Sequence, residues 1–229
     1  MQATGIAPLV ISVLALGLSF YGVAERLRAT WRAERLRVAA IVDELNSLRL
    51  EHPQPTTNLQ HDDLSYLVNA RAEVLAMQAQ SLTKKCLVRR SISSPEYRTL
   101  AFALSRAGYP REAEQSWHGA VRAARREGVT ALLYAHRGLA YFLFGEGRLG
   151  EGRTEMAASL DAIGSADDTD RIHQIKTLKY WSNAERRANE AGPEATELVK
   201  QAEAVLALLG TEAARQQMRE FLARSGTDE

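Results

Sequence analysis

The first 24 residues of the chain carry no charged side chain, and residues 6–24 form a run of 19 apolar or weakly polar residues. As a helix, such a run is about 28 Å long at ~1.5 Å per residue, close to the ~30 Å hydrocarbon thickness of a bilayer. Pro8 falls in the first turn, where a missing backbone N–H breaks no hydrogen bond. The run predicts a transmembrane anchor over residues 1–24 that contacts the lipid bilayer through residues 6–24.

The charge that follows this run predicts its orientation. Five arginines stand directly after it, against only Glu25 and Glu34: Arg26, Arg28, Arg32, Arg35 and Arg37. Because basic flanks resist translocation, we expect a single-pass protein of the cell (plasma) membrane, with its N-terminus outside and its C-terminal domain in the cytoplasm. A cleaved signal peptide is the alternative, since Gly22-Val23-Ala24 supplies small residues at a cleavage spacing, although residues 1–5 lack a basic n-region. Cleavage at Ala24 would leave a secreted or periplasmic helical-repeat protein.

The helical pattern continues beyond the apolar run, since no proline or glycine interrupts residues 25–50. We expect one continuous helix there, forming a juxtamembrane stalk. Apolar residues three and four apart give it a heptad seam, which favours a coiled coil and a homo-oligomer. The seam consists of Leu27, Trp31, Val38, Ile41, Leu45 and Leu48. The alternatives are a helix that packs back on its own domain and one that lies at the headgroup surface.

Residues 51–60 contain two prolines and predict a linker, and residues 61–225 predict a helical domain before a polar tail at 226–229. No sustained period-two alternation follows residue 61, so the expected fold class is all-α. Ser93 and Glu96 have the spacing of a capping box, with Pro95 near the first turn of the helix. Gly108 and Gly147 mark short turns between further helices.

Two of these helix pairs carry related patterns. The first has a leucine and an alanine, a turn glycine, and then small, aromatic and small residues at Leu100, Ala101, Gly108, Ala113, Trp117 and Ala120. The second has Leu139, Ala140, Gly147, Gly152, Met156 and Ser159 at the matching positions. This pattern, over about Ser94–Leu160, resembles the tetratricopeptide repeat (TPR). The resemblance implies an α-solenoid of TPR-like helical hairpins. The turn glycines are 39 residues apart, whereas the family period is about 34, so the expected stacking is not uniform.

In repeats of this kind, the first helix of each pair lines a groove that holds a peptide. The resemblance therefore implies a peptide-binding groove formed by Arg98, Phe102, Ser105, Arg106, Tyr134, Arg137, Tyr141 and Phe144. Arginines interleaved with aromatic residues suit a peptide with carboxylates and an apolar anchor. The alternative is that Phe102, Tyr141 and Phe144 belong to the core.

Sequence motifs for catalysis are weak. Residues 145–150 match GxGxxG but follow a helix rather than a strand, so they indicate a helix–helix turn. The histidines lack metal-ligand spacing with each other or with Cys86, and residues 167–170 lack the glycine and distal glutamate of a calcium loop. Cys86 stands beside Lys84 and Lys85, which favours thiolate formation, although an inert helix-end cysteine is the simpler interpretation. We therefore expect no catalytic residues, no metal and no cofactor.

The amino-acid composition of the chain limits the kinds of partner that it is expected to bind. With 29 basic and 28 acidic residues the chain carries a formal net charge of +1, which argues against a nucleic-acid binder. Its 24 arginines against 5 lysines are typical of a bacterial protein. The expected function is a membrane-anchored protein–protein interaction scaffold with a protein or peptide partner, no small-molecule substrate and no enzymatic activity. The alternative of a different class is an enzyme on an α-helical scaffold.

Overall fold

The computed structural model describes residues 6–51, 63–164, 167–188 and 192–224, and all the regular structure in these ranges is helical. The predicted all-α class is confirmed. Side chains are described from Ser19 onward, except at 49–51, 63–66, 86 and 87. The described helices are α1 (Ile6–Glu51), α2 (Asp63–Thr83), α3 (Cys86–Ser91), α4 (Ser94–Arg106), α5 (Pro110–Ala124), α6 (Val129–Gly145), α7 (Leu149–Asp161), α8 (Asp168–Ala188), α9 (Pro193–Ala207) and α10 (Glu212–Ala223).

Helix α1 runs without interruption for 46 residues, so the prediction of one helix that continues from the apolar run into the stalk is confirmed. Among the residues whose side chains are described, no helix is long and apolar enough to cross a membrane. Residues 1–18 of the predicted anchor lie outside that set, as do residues 52–60 of the predicted linker and the tail at 226–229.

The chain divides into two compact units, Met1–Ile92 and Ser93–Glu229. The division lies within the predicted 61–225 domain, because α2 and α3 pack with α1 in the first unit. There, Arg71 of α2 donates from Nε to Glu44 of α1 at 2.7 Å, and Lys85 pairs with Glu34. Since Lys85, just after the end of α2, meets an earlier residue of α1 than Arg71 does, the two helices run antiparallel.

The stalk seam packs inside this first unit. Val38, Ile41 and Leu45 are only 1%, 5% and 5% exposed, whereas Leu27 is 60% exposed. This burial fits the alternative in which the helix packs back on its own domain, and self-association through the seam stays a prediction. The apolar face that the heptad pattern identified is real, but α2 and α3 of the same chain cover it. Trp31 and Leu48 are half-buried.

The second unit consists of three helical hairpins, α4–α5, α6–α7 and α8–α9, followed by α10. The first helices of the hairpins lie side by side in the order α4, α6, α8, and α10 contacts α8. Helices α5 and α7 each contact the first helix of the next hairpin. One face of the unit is therefore built from first helices alone.

The turns of the first two hairpins have the same backbone geometry. Gly108 and Gly147 have φ of 80° and 73°, a conformation that only glycine adopts at little cost. Tyr109 N–H donates to Leu104 O at 2.9 Å, and Arg148 N–H donates to Leu143 O at 2.9 Å. With the accompanying bonds from the glycine N–H groups, both turns are Schellman motifs. The two hairpins are thus equivalent at an offset of 39 residues.

Glycines let aromatic rings approach neighbouring helices. A Cβ on Gly138 of α6 would lie 2.2 Å from the nearest ring atom of Trp117, so this ring fills the gap against the next hairpin, as the repeat pattern predicts. A Cβ on Gly152 of α7 would lie 2.9 Å from Phe144. Phe144 is buried against Met156, and the structure therefore places it in the core rather than in the predicted groove.

Local signals set most of the helix ends. Ser93 N–H donates to the Glu96 carboxylate at 2.8 Å, which confirms the capping box. Helix α6 begins at Val129, directly after Gly128, whose φ is 107°. The sequence patterns did not indicate α3 as a separate helix.

Candidate functional site

A guanidinium close to two tyrosine rings lies where α6 meets α8. Cζ of Arg137 is 4.8 Å from the ring centre of Tyr134 and 4.6 Å from that of Tyr180. Tyr134 stands one turn before Arg137 on α6, and Tyr180 belongs to α8. A cation over an aromatic face is attracted to it, more strongly as water is excluded. Both rings therefore attract this guanidinium.

The stack extends across all the first helices. On one side, Cζ of Arg98 from α4 lies 5.1 Å from the centre of the Tyr134 ring. On the other, Tyr180 meets Tyr141 and Phe221 edge-on, at centroid distances of 6.1 and 5.8 Å. We call this set the arginine–tyrosine row: Arg98, Tyr134, Arg137, Tyr141, Tyr180 and Phe221.

The row arises from the repeat of the sequence. Arg98 and Arg137 are 39 residues apart, and Lys176 follows at the same interval. The aromatic residues Phe102, Tyr141 and Tyr180 share that interval. Because α4, α6 and α8 lie side by side, equivalent positions come next to one another, which puts the basic residues and the rings in register.

Polar atoms beside the row lack partners within the described part of the chain. Nη1 of Arg137, Nδ1 of His173 and Oγ1 of Thr177 are buried, and none has a hydrogen-bond partner among the described residues. No described carboxylate pairs with Arg137. Thr177 is 0% exposed, and His173 contacts the Tyr134 ring edge-on at 6.0 Å. Buried polar groups are normally satisfied, so three unsatisfied groups beside one row of residues call for an explanation.

Two cations and one carboxylate act on His173. Burial lowers the pKa of His173, and the nearby charges of Lys176 and Arg137 lower it further, while Asp170 opposes them. Helix α6, which supplies the centre of the row, contains no acidic residue. The site is therefore suited to an anionic group.

The structure brings together four of the eight predicted groove residues: Arg98, Tyr134, Arg137 and Tyr141 belong to the row. Phe102 packs edge-on against Trp117 at 4.9 Å and remains 40% exposed, one turn from Arg98 on α4. Ser105 and Arg106 are exposed near the end of α4.

The sequence patterns used above did not indicate the contributions of α8 and α10, namely Lys176, His173, Thr177, Tyr180 and Phe221. The third hairpin lacks the small-residue pattern by which the first two were identified. The 39-residue interval from Arg98 and Phe102 nevertheless points to Lys176 and Tyr180, and extending that interval would have found them.

A hollow of about 430 Å³ lies between α7, α8 and α9. Two of its charged groups pair with each other: Arg153 donates to both oxygens of Glu185 at 2.8 Å, and Trp181 Nε1 donates to the same carboxylate at 2.9 Å. The bonds from Arg153 and Trp181 lower the pKa of the buried Glu185 carboxyl, against the effect of burial. This pair ties α7 to α8 and requires no ligand.

Other candidate chemistry from the sequence has structural roles. Residues 145–150 form the turn between α6 and α7. Asp167 accepts the N–H of Asp170 at 2.8 Å, and Asp168 accepts that of Gly210 at 2.9 Å. Across the described residues, no group of three histidine, cysteine, aspartate or glutamate side chains could hold a metal ion. The side chain of Cys86 lies outside the described set.

No family model, curated protein or solved structure matches the chain. Any assignment of function therefore depends on the geometry of the second unit and on the sequence of α1.

Proposed function

We propose that this protein is a membrane-anchored protein–protein interaction scaffold. Residues 6–24 anchor it in the cell membrane, and a TPR-like α-solenoid formed by the second unit presents a groove to a protein partner. The observation that carries the proposal is the arginine–tyrosine row, which crosses the three neighbouring first helices and α10. Arginine and tyrosine are the residues that most often dominate binding energy at protein interfaces.

The contacts of the second unit support a repeat architecture. Two hairpins share a Schellman turn and a buried residue, Trp117 or Met156, that packs against the next hairpin. Successive first helices are neighbours, which is the arrangement that stacked repeats produce. The 39-residue interval exceeds the usual period of about 34 in the tetratricopeptide family, so the likeness concerns layout rather than repeat length.

Two features of α1 support the anchor. The helix is continuous through the apolar run, and the residues at the end of that run present apolar side chains to their surroundings: Phe20 and Tyr21 are 68% and 64% exposed. An aromatic ring at the end of an apolar span suits the membrane interface. The arginines that follow at positions 26, 28, 32 and 37 are exposed as well.

A crosslinking experiment on the full chain tests the scaffold function. A photoreactive amino acid replaces Phe102, which is 40% exposed one turn from Arg98, and in a matched chain it replaces Arg122, which is exposed on α5. Irradiation of intact membranes should attach a discrete partner to the Phe102 position and not to the Arg122 position. The same products at both positions, or none at Phe102, would contradict the proposal.

A further inference from the structure

Arg137 holds a positive charge that the described part of its chain does not neutralise. Its side chain is half-buried beside the rings of Tyr134 and Tyr180, and its buried Nη1 has no acceptor among the described residues. Removing a charge from water costs free energy unless an opposite charge or hydrogen-bond acceptors replace the water. An anion bound beside α6 and α8 would supply both.

The chemistry of this guanidinium favours an anion with two oxygens. Its Cζ lies 4.8 and 4.6 Å from the ring centres of Tyr134 and Tyr180, and its Nη1 has no acceptor among the described residues. Guanidinium N–H groups match the two oxygens of a carboxylate. Oγ1 of the fully buried Thr177 also lacks a partner among the described residues, and Nδ1 of His173 completes the polar lining.

We propose that the groove between α6 and α8 binds a side-chain carboxylate from an acidic segment of a partner protein, with Arg137 as the anchoring residue. This inference rests on the proposed function and adds the chemistry of the partner. Lys176 and Arg98 add positive charge around the same place, and α6 contributes no acidic residue to compete with the ligand. Tyr141 and Tyr180 supply apolar contact for the neighbouring side chains of the segment. Interface side chains commonly change rotamer on binding, which is how Nη1 becomes accessible.

The test uses the full-length protein in detergent and a fluorescein-labelled octapeptide of alternating glutamate and glycine. Its glutamine counterpart is the matched probe without charge. Fluorescence anisotropy should show that the glutamate peptide binds at least about tenfold more tightly than the glutamine peptide, since hydrogen bonds to charged groups exceed neutral ones. Equal affinity for the two peptides would overturn the proposal.

Single substitutions test where on the protein the glutamate peptide binds. Arg137→Gln should weaken binding of the glutamate peptide about tenfold or more, whereas Arg122→Gln, which removes the same charge from an exposed position on α5, should change it by less than about twofold. Equal losses in the two variants would mean that binding follows total charge rather than this site. Thr177→Val keeps the shape of the side chain and removes Oγ1, so it tests the site even where Arg137→Gln disturbs the stack. We expect a loss of about threefold, and an unchanged affinity would count against the site.

The two proposals fail in different ways. If the Phe102 position crosslinks its partner in Arg137→Gln as in the wild type and the glutamate peptide does not bind selectively, the acidic ligand is wrong and the scaffold function stands. If the Phe102 position crosslinks nothing in the wild type, the scaffold function itself is wrong, whatever the peptide does.

Discussion

His173 occupies an unusual environment for a histidine, between a tyrosine ring and two cations. The ring of Tyr134 is 6.0 Å away, and burial, Lys176 and Arg137 all lower the pKa of the imidazole from its ordinary value near 6.5. The folded protein therefore holds this side chain neutral at a pH where the unfolded chain already protonates it. Because the unfolded state binds more protons, stability falls as the pH decreases.

The sign of this effect gives a measurable pH dependence. The contribution of His173 to the free energy of unfolding should be fully present above pH about 6.5 and should decline as the pH falls below that value. His173→Gln cannot be protonated, so its melting temperature should decrease less between pH 8 and pH 5 than that of the wild type. His118→Gln, a change at a histidine whose side chain is 50% exposed, serves as the control. The same pH profile for wild type and His173→Gln would show that this residue is not responsible.

Among the helices, α6 carries two glycines in very different surroundings. A Cβ on Gly138 would lie 2.2 and 2.3 Å from two ring atoms of Trp117, whereas a Cβ on Gly145 would meet nothing within 4 Å. Gly138→Ala should therefore lower the free energy of unfolding by about 1–3 kcal/mol through overpacking. Gly145→Ala should leave it unchanged or raise it by up to ~1 kcal/mol, because alanine favours the helix. Urea unfolding of the two variants makes the comparison.

We attribute the difference between the two glycines to the ring of Trp117, and a double variant tests that attribution. Trp117→Leu removes the atoms that the new methyl group would strike, so Gly138→Ala should cost less in that background than in the wild type. Contacting residues normally show such coupling. Additive effects would mean that the packing of α5 against α6 is not what makes Gly138 necessary.

How well the sequence predicts a structural element depends on whether the residues that determine it lie close together in the chain. The start of α4 and the turns at Gly108 and Gly147 follow from residues within a few positions of each other, and all three were predictable. The burial of Val38 and Ile41 under other helices of the same chain was not predictable, because a heptad seam identifies an apolar face without saying which helix packs on it.

The candidate site shows the same limit. Positions on one side of α6 follow from helical periodicity, so Arg137 and Tyr141 could be placed together. Whether a residue on such a face lies in the core depends on the approach of the neighbouring helices, and Phe144 proved to be packed against Gly152 of α7. Tyr180 was missed because its hairpin keeps the register of the repeat while losing its small residues.

The net charge of the whole chain is close to zero, but the charged residues are distributed unevenly along the sequence. Basic and acidic residues number 29 and 28, yet the first 24 residues carry no charge and the next 13 carry five arginines and two glutamates. Arg28 pairs with Glu25 at 2.7 Å, and that pair is exposed. With five arginines against two glutamates the flank has a net positive charge, which is the quantity that determines the orientation of a span.

This asymmetry predicts the topology of the whole molecule. A fluorescent protein fused after Glu229 should be active, whereas alkaline phosphatase fused at the same position should be inactive, because it needs an oxidising compartment to form its disulfides. Changing the five flanking arginines to glutamine should raise phosphatase activity, since the bias against translocation is lost. Changing Arg122, Arg125 and Arg126 to glutamine, at the end of α5 and far along the chain from the apolar run, should not. A phosphatase that is active in the unmodified chain would show that the C-terminal domain is outside, and the anchor would then have the opposite orientation or be cleaved.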